Sequence, residues 1–181
     1  MYGAPLDFSF KSLSSVTDVV SQEPNVSARR VRRDSEGKYI TRTLRLNNNV
    51  LSDLQGLTST LSTLLSEPTH LSWIDLSFND LTHISPVLSE LSELRVLYLH
   101  GNNVQSLQEV DKLGVLPLLH TITLHGNAME YERGYRSYVI SVLPHLKMMD
   151  FSAITKQERV MASIWHRGGR GHKSTNQNTG D

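Results

Sequence analysis

The chain has 181 residues, 38% of them hydrophobic, with a formal net charge of zero and no cysteine. That length suits a single domain with a real core, and the neutral balance creates no bulk demand for a nucleic-acid or membrane partner. The missing cysteines exclude disulfides and thiolate metal sites, and no stretch approaches the roughly 18 apolar residues of a membrane span.

Residues 1–40 read as an N-terminal arm. Its first residues lack the basic-then-apolar order of a leader peptide, so a cytosolic or nuclear chain is expected. Leu6, Phe8 and Phe10 alternate, and Ser14 to Val20 suits the start of a short helix. This arm is expected to cover the N-terminal end of the domain that begins at residue 41. It contains Arg29, Arg30, Arg32 and Arg33, which could contact acidic tails, phosphates or RNA. Asp34 and Glu36 follow at once, and aromatic platforms for bases are scarce nearby, which favours a solvated loop.

From residue 41 the chain repeats itself. Aligned on Leu-x-Leu-x-x-Asn, it yields LRLNNN at 44–49, IDLSFN at 74–79, LYLHGN at 97–102 and ITLHGN at 122–127. Between residues 44 and 124 there are 22 leucines. Leu-x-Leu places two leucines on one side of a strand and the residue between them on the other. Stacked copies make a parallel sheet and bury a core that no single copy could bury alone. Asn49, Asn79, Asn102 and Asn127 are expected to turn inward and bond backbone groups left open at each turn. The return paths run over the convex side. The first, with Leu57, Leu61, Leu64 and Leu65 stopped by Pro68, is expected to be helical. Those around Pro86 to Leu88 and Asp111 to Leu113 suit short 3₁₀ turns. After the fourth copy, Tyr138, Val139, Val142, Leu143 and Leu146 form an apolar helical face, and Met148 to Phe151 reads as a last edge strand. The expected architecture is an α/β, right-handed leucine-rich-repeat solenoid with a parallel concave sheet, a helical and 3₁₀ convex side and a C-terminal cap. Its repeats and cap occupy 41–159, and 160–181 reads as a disordered basic tail. An Arg-Gly-Gly-Arg-Gly run lies there, a weak hint of RNA-binding segments.

The residues that point out of the concave face carry the candidate function. One column reads Arg45, Asp75, Tyr98, Thr123. The next includes His100 and His125, and Trp73 lies in the column before. Trp, Tyr and Arg are the residue types enriched at interface hot spots, so Arg45, Trp73, Asp75, Tyr98, His100, Thr123 and His125 are the candidate partner contacts. Packing on cross-strand neighbours is the alternative for Trp73. The two histidines could be copies of one surface position, part of a binding patch, or a metal or catalytic pair. Zinc needs three or four ligands, and the columns offer no further His and no Cys. No nucleophile–base arrangement, phosphate loop or metalloprotease helix is visible. No catalytic residue, cofactor, metal or small-molecule substrate is therefore expected. The expected partner is a protein.

The run YRSYVISVLPHLKMMDFSAITKQER resembles the C-terminal cap of short intracellular repeat proteins, such as axonemal dynein light chain 1, the phosphatase-regulator type and the spliceosomal U2 A-prime protein. That cap usually has proline after the repeat asparagine, where this chain has Ala128. PLDFSF, LNNNVLSDL, WIDLSFNDLT and VLYLHGN extend the likeness over about residues 5–165 to the family of leucine-rich repeat-containing protein 51. The resemblance implies a small cytoplasmic scaffold without catalytic residues, in organisms with motile cilia, and hence an axonemal or microtubule-associated partner. An RNA-associated module of the U2 A-prime kind, or a regulatory subunit of a phosphatase or motor, are the alternatives.

Overall fold

The computed structural model describes residues 3–171. Its centre is a seven-stranded sheet. The strands are β1 (Leu6–Asp7), β4 (Thr43–Arg45), β5 (Trp73–Asp75), β6 (Val96–Tyr98), β7 (Thr121–Thr123), β8 (Met148–Met149) and β9 (Ser152–Ala153). They lie side by side in that order, parallel from β1 through β8, and β9 pairs antiparallel with β8. Register aligns Leu44 with Ile74, Leu97 and Ile122, so the leucine positions stack directly over one another. With Leu46, Leu76, Leu99 and Leu124 they are buried in one continuous core. The convex returns are helix α1 (Leu57–Leu64) and 3₁₀ segments that include Pro86–Glu90 and Leu107–Leu113. Serines 85 and 106 cap the two 3₁₀ segments by accepting backbone N–H bonds.

The asparagines tie each turn to the next. Asn102 is typical. Its Nδ2 donates to the carbonyls of Leu76 and Leu99, both at 3.0 Å, and its Oδ1 accepts the Leu81 N–H at 3.0 Å. Asn79 and Asn127 make the same three bonds one repeat earlier and one later. Asn49 reaches back to Phe8 and Leu13.

That last contact changes the reading of the arm. Residues 1–40 include a sheet strand: Leu6 pairs with Leu44, Phe8 occupies the second leucine position, and both are fully buried. The turn after β1 has Lys11 where the other copies have asparagine. Asn49 makes the same bonds as the other asparagines, to Phe8, Leu46 and Leu13, and its Oδ1 also accepts the Lys11 N–H. Asn25 then covers the outer edge of β1, donating its backbone N–H to the Asp7 carbonyl at 2.7 Å and its side chain to the Ser9 carbonyl at 2.8 Å. The basic run is also more ordered than a solvated loop. Arg32 and Arg33 form β2 (Arg32–Arg33), antiparallel to β3 (Tyr39–Ile40).

The far end is closed by helix α2 (Tyr135–Val142) and helix α3 (Lys156–Gly171). Residues 160–171, expected to be disordered, continue α3. Thr155 and Glu158 form a reciprocal capping box at its start, with bonds of 2.8 and 3.1 Å. Arg136 holds Glu158 at 2.6 Å, Ala162 is buried, and Trp165 packs edge-on against Tyr138 at 5.9 Å. The remainder of the expected tail, 172–181, lies outside the described residues. The last edge strand is also shorter than expected. Asp150 and Phe151 both take positive φ, 51° and 62°, and reverse the chain into β9. Among the described residues no helix is long and apolar enough to cross a membrane.

Candidate interaction surface

Sheet register sets one row across the concave face: Asp7, Arg45, Asp75, Tyr98, Thr123. Arg45 stands beside both Asp7 and Asp75 and pairs with Asp7, at 3.2 Å. Asp75 accepts the Ser77 N–H and hydroxyl on its Oδ1, at 3.0 and 2.6 Å. Beyond it, rings form a continuous patch. Trp73 meets Tyr98 edge-on at 5.7 Å, and Tyr98 meets Phe151 at 5.4 Å. His100 and His125 stack face to face, 4.7 Å apart and 7° from parallel, with Phe151 edge-on to both.

The two histidines are anchored differently. His100 Nδ1 shares a 2.6 Å hydrogen bond with the Thr123 hydroxyl, and His125 Nδ1 lies 3.1 Å from Asp150 Oδ1. Among the described residues no group of three or more His, Cys, Asp or Glu is placed to hold a metal ion. Asp150 is a hub: it also accepts the Leu124 and His125 N–H groups and the Tyr135 hydroxyl. Burial pushes its carboxyl up, but these bonds outweigh burial and hold it below the ordinary range. Burial, then the bond to Asp150, pushes the Tyr135 phenol well up.

His100 titrates below an ordinary imidazole. Burial is the main cause and His125 the second, against the opposing pull of Asp75 and Asp150. As pH falls, the unfolded chain takes up this proton first. The associated stability is complete above about pH 6.5 and is lost as pH falls through the depressed value. The thermal midpoint should therefore drop between about pH 7.5 and about pH 5.5. Calorimetry of His100→Asn should show a smaller drop. An unchanged drop would assign the effect to other groups.

Of the expected contacts, Arg45, Trp73, Tyr98, His100 and His125 are half-buried on this face, and Asp75 is 8% exposed. Thr123 is a correction. It is completely buried and bonded to His100, so it positions that ring and is not available to a partner. Of the basic set, Arg29, Arg30 and Arg32 are exposed and line a cleft with Thr41, Arg42 and Glu67. Arg33 is engaged, 4.2 Å over the Tyr39 ring and donating to the Gly37 carbonyl.

Two residues of the surface escape the column pattern. Phe151 arrives from the cap through its reverse turn. Phe78, at a turn position that the repeat pattern leaves open between core and surface, lies outside the core, half exposed and edge-on to His100 at 5.1 Å. Its place in the repeat is occupied by Phe10, Asn48, Gly101 and Gly126 in the other copies, and all five have positive φ. Gly101 has a second constraint, since a Cβ there would meet the Phe78 ring at 2.5 Å. The glycines at 101 and 126 are the sequence signal that this column is left-handed. A phenylalanine in it is under backbone strain.

Parallel strands stacked at each Leu-x-Leu, with a buried asparagine closing each turn, define a leucine-rich-repeat protein, and a leucine-rich-repeat family model matches residues 69–178. Leucine-rich repeat-containing protein 51 of Macaca mulatta is 53% identical over 163 residues, covering 90% of this chain and 85% of that protein. The Homo sapiens protein of the same name is 52% identical over the same shares. The chain belongs to the leucine-rich repeat-containing protein 51 family. It is also similar in structure to a chain in the crystal structure of the Drosophila melanogaster SNF/U2A′ complex. That match has a TM-score of 0.65 at 25% identity and covers 87% of this chain and 94% of the other.

Proposed function

We propose that this chain is a non-enzymatic scaffold that binds a protein partner on its concave face and places it in a larger cytoplasmic assembly. The observation that carries the reading is the state of the phenylalanines. Of four, only Phe8 is buried. Phe10, Phe78 and Phe151 are exposed, and each holds a positive φ, between 53° and 62°. An exposed aromatic in a left-handed backbone costs stability twice, through hydration and through strain of about 1–2 kcal/mol. Such a residue is retained where it contacts something else. Two of the three border the histidine pair.

The setting we assign is ciliary or axonemal, on the resemblance of the whole chain to its family. The repeat class supports protein binding in general. A second reading, partnership with a ribonucleoprotein component, is favoured by the likeness to the SNF/U2A′ chain. RNA contact through Arg29, Arg30 and Arg32 would then appear as salt-sensitive binding lost on their replacement.

The test is a quantitative pull-down from ciliated-cell extract with wild type, Trp73→Ala/Tyr98→Ala and Phe78→Asn. Both variants should lose the same set of axonemal proteins. Phe78→Asn, which puts an asparagine where Asn48 stands in its own repeat, should keep its urea stability to within about 1 kcal/mol. Recovery of identical proteins by all three would overturn the concave-face assignment.

A further inference from the structure

We infer that the concave surface receives an arginine side chain of its protein partner, seated on Tyr98 and Phe151 with its charge directed at Asp75. The inference rests on the interaction reading above and names the chemistry of the occupant.

Asp75 is the starting point. It is 8% exposed at the centre of the concave row. Ser77 satisfies one of its oxygens with two bonds. Among the described residues no Lys, Arg or His lies within ion-pair distance of it. Its register neighbour Arg45 could have served, and instead pairs with Asp7. A largely buried carboxylate without a counter-charge is costly to keep. Its charge is felt nearby: burial, then Asp75, raises the Tyr98 phenol.

The surroundings select the cation. Tyr98 stands next to Asp75 by register, and Phe151 meets Tyr98 at 5.4 Å with planes 70° apart. Ring faces attract cations, and more strongly where water is excluded. Asp150, a second carboxylate, lies 3.1 Å from the Nδ1 of His125 and adds to the negative charge of this surface. A guanidinium suits this combination. It is planar, weakly hydrated, lies flat on aromatic rings and retains donors for a carboxylate acceptor. A lysine ammonium would have to shed a tighter hydration shell. An acidic segment would meet Asp75 and Asp150. A purely apolar one would seal Asp75 away without a counter-charge.

The experiment titrates N-acetyl-arginine methylamide into the full chain. It follows the Trp73 indole and the His100 and His125 ring resonances by NMR, with the norleucine and glutamate analogues as controls. Saturable shifts with the arginine probe are expected, at least tenfold tighter than with norleucine, and none with glutamate. Asp75→Asn retains an acceptor for Ser77 and should abolish the preference for arginine. Tyr98→Leu should weaken the arginine probe and leaves the test standing if Asp75→Asn does not fold. Equal binding of arginine and norleucine, unaffected by either variant, would overturn the inference and leave the interaction reading intact. Silence toward all probes also overturns it, and the pull-down then judges the interaction reading independently.

Discussion

Replacing Asn102 by alanine is expected to lower the free energy of unfolding by about 3–5 kcal/mol. The side chain donates to carbonyls of two successive repeats and accepts an N–H from the turn before its own. Alanine leaves the Leu81 N–H buried without a partner, at about 1–3 kcal/mol, and removes one of two asparagine donors from each of the Leu76 and Leu99 carbonyls, at about 0.5–1.5 kcal/mol each, since Asn79 and Asn127 still reach them. Truncating Leu99, a buried hydrocarbon in the same repeat, should cost a comparable 2–5 kcal/mol or so, for a different reason, the cavity. The two losses are separable. Asn102→Asp keeps an acceptor for Leu81 but loses the donor to Leu76 and Leu99, and should be nearly as damaging. Leu99→Met nearly conserves volume and should be mild. Urea denaturation of the four variants checks this. If Asn102→Ala lost less than about 1 kcal/mol, water would have to be replacing the amide.

The second large effect is expected at Arg159. Its guanidinium donates to the carbonyls of Ile140 at 2.6 Å and Leu143 at 3.2 Å, and to that of Leu146. These groups lie at and just beyond the C-terminus of α2, where carbonyls lack helical partners and the helix dipole favours a cation. One residue of α3 therefore closes the end of α2. Arg159→Ala should cost about 2–4 kcal/mol and release α3 from α2. Arg159→Lys should recover little, because a point charge cannot reproduce a planar fork serving three acceptors. Hydrogen exchange would show α3 amides losing protection while β5 to β7 keep theirs. Uniform loss of protection would mean that the cap and the repeats unfold as one unit.

The four repeats are legible because their burial is periodic. A leucine every second residue and an asparagine three places on leave little choice of strand, face or turn. The features that stay hidden depend on partners far along the chain. β1 has Lys11 in place of an asparagine, so its Leu6 and Phe8 show alternation but no repeat. The turn at Asp150 and Phe151 lacks the Asn-Gly or Asp-Gly pair that would announce two positive φ angles. Helix α3 has a local start signal in Thr155 and Glu158, but a glycine-rich ending outweighs it in composition. On the concave face, alternation identifies which side chains point outward. It does not show that Phe151 returns from the cap to lie on the histidines, nor that Thr123 ends up beneath them.

The ends of the parallel sheet are both interrupted, at one side by Asn25 bonded along β1 and at the other by β9, which turns back antiparallel to β8. The molecule is therefore a ruler of set length. Among the described residues, neither outermost strand continues the parallel repeat. A second copy therefore does not extend the sheet simply by repeating it. A fifth repeat would have to be spliced in between existing ones, where each new turn finds both of its neighbours waiting.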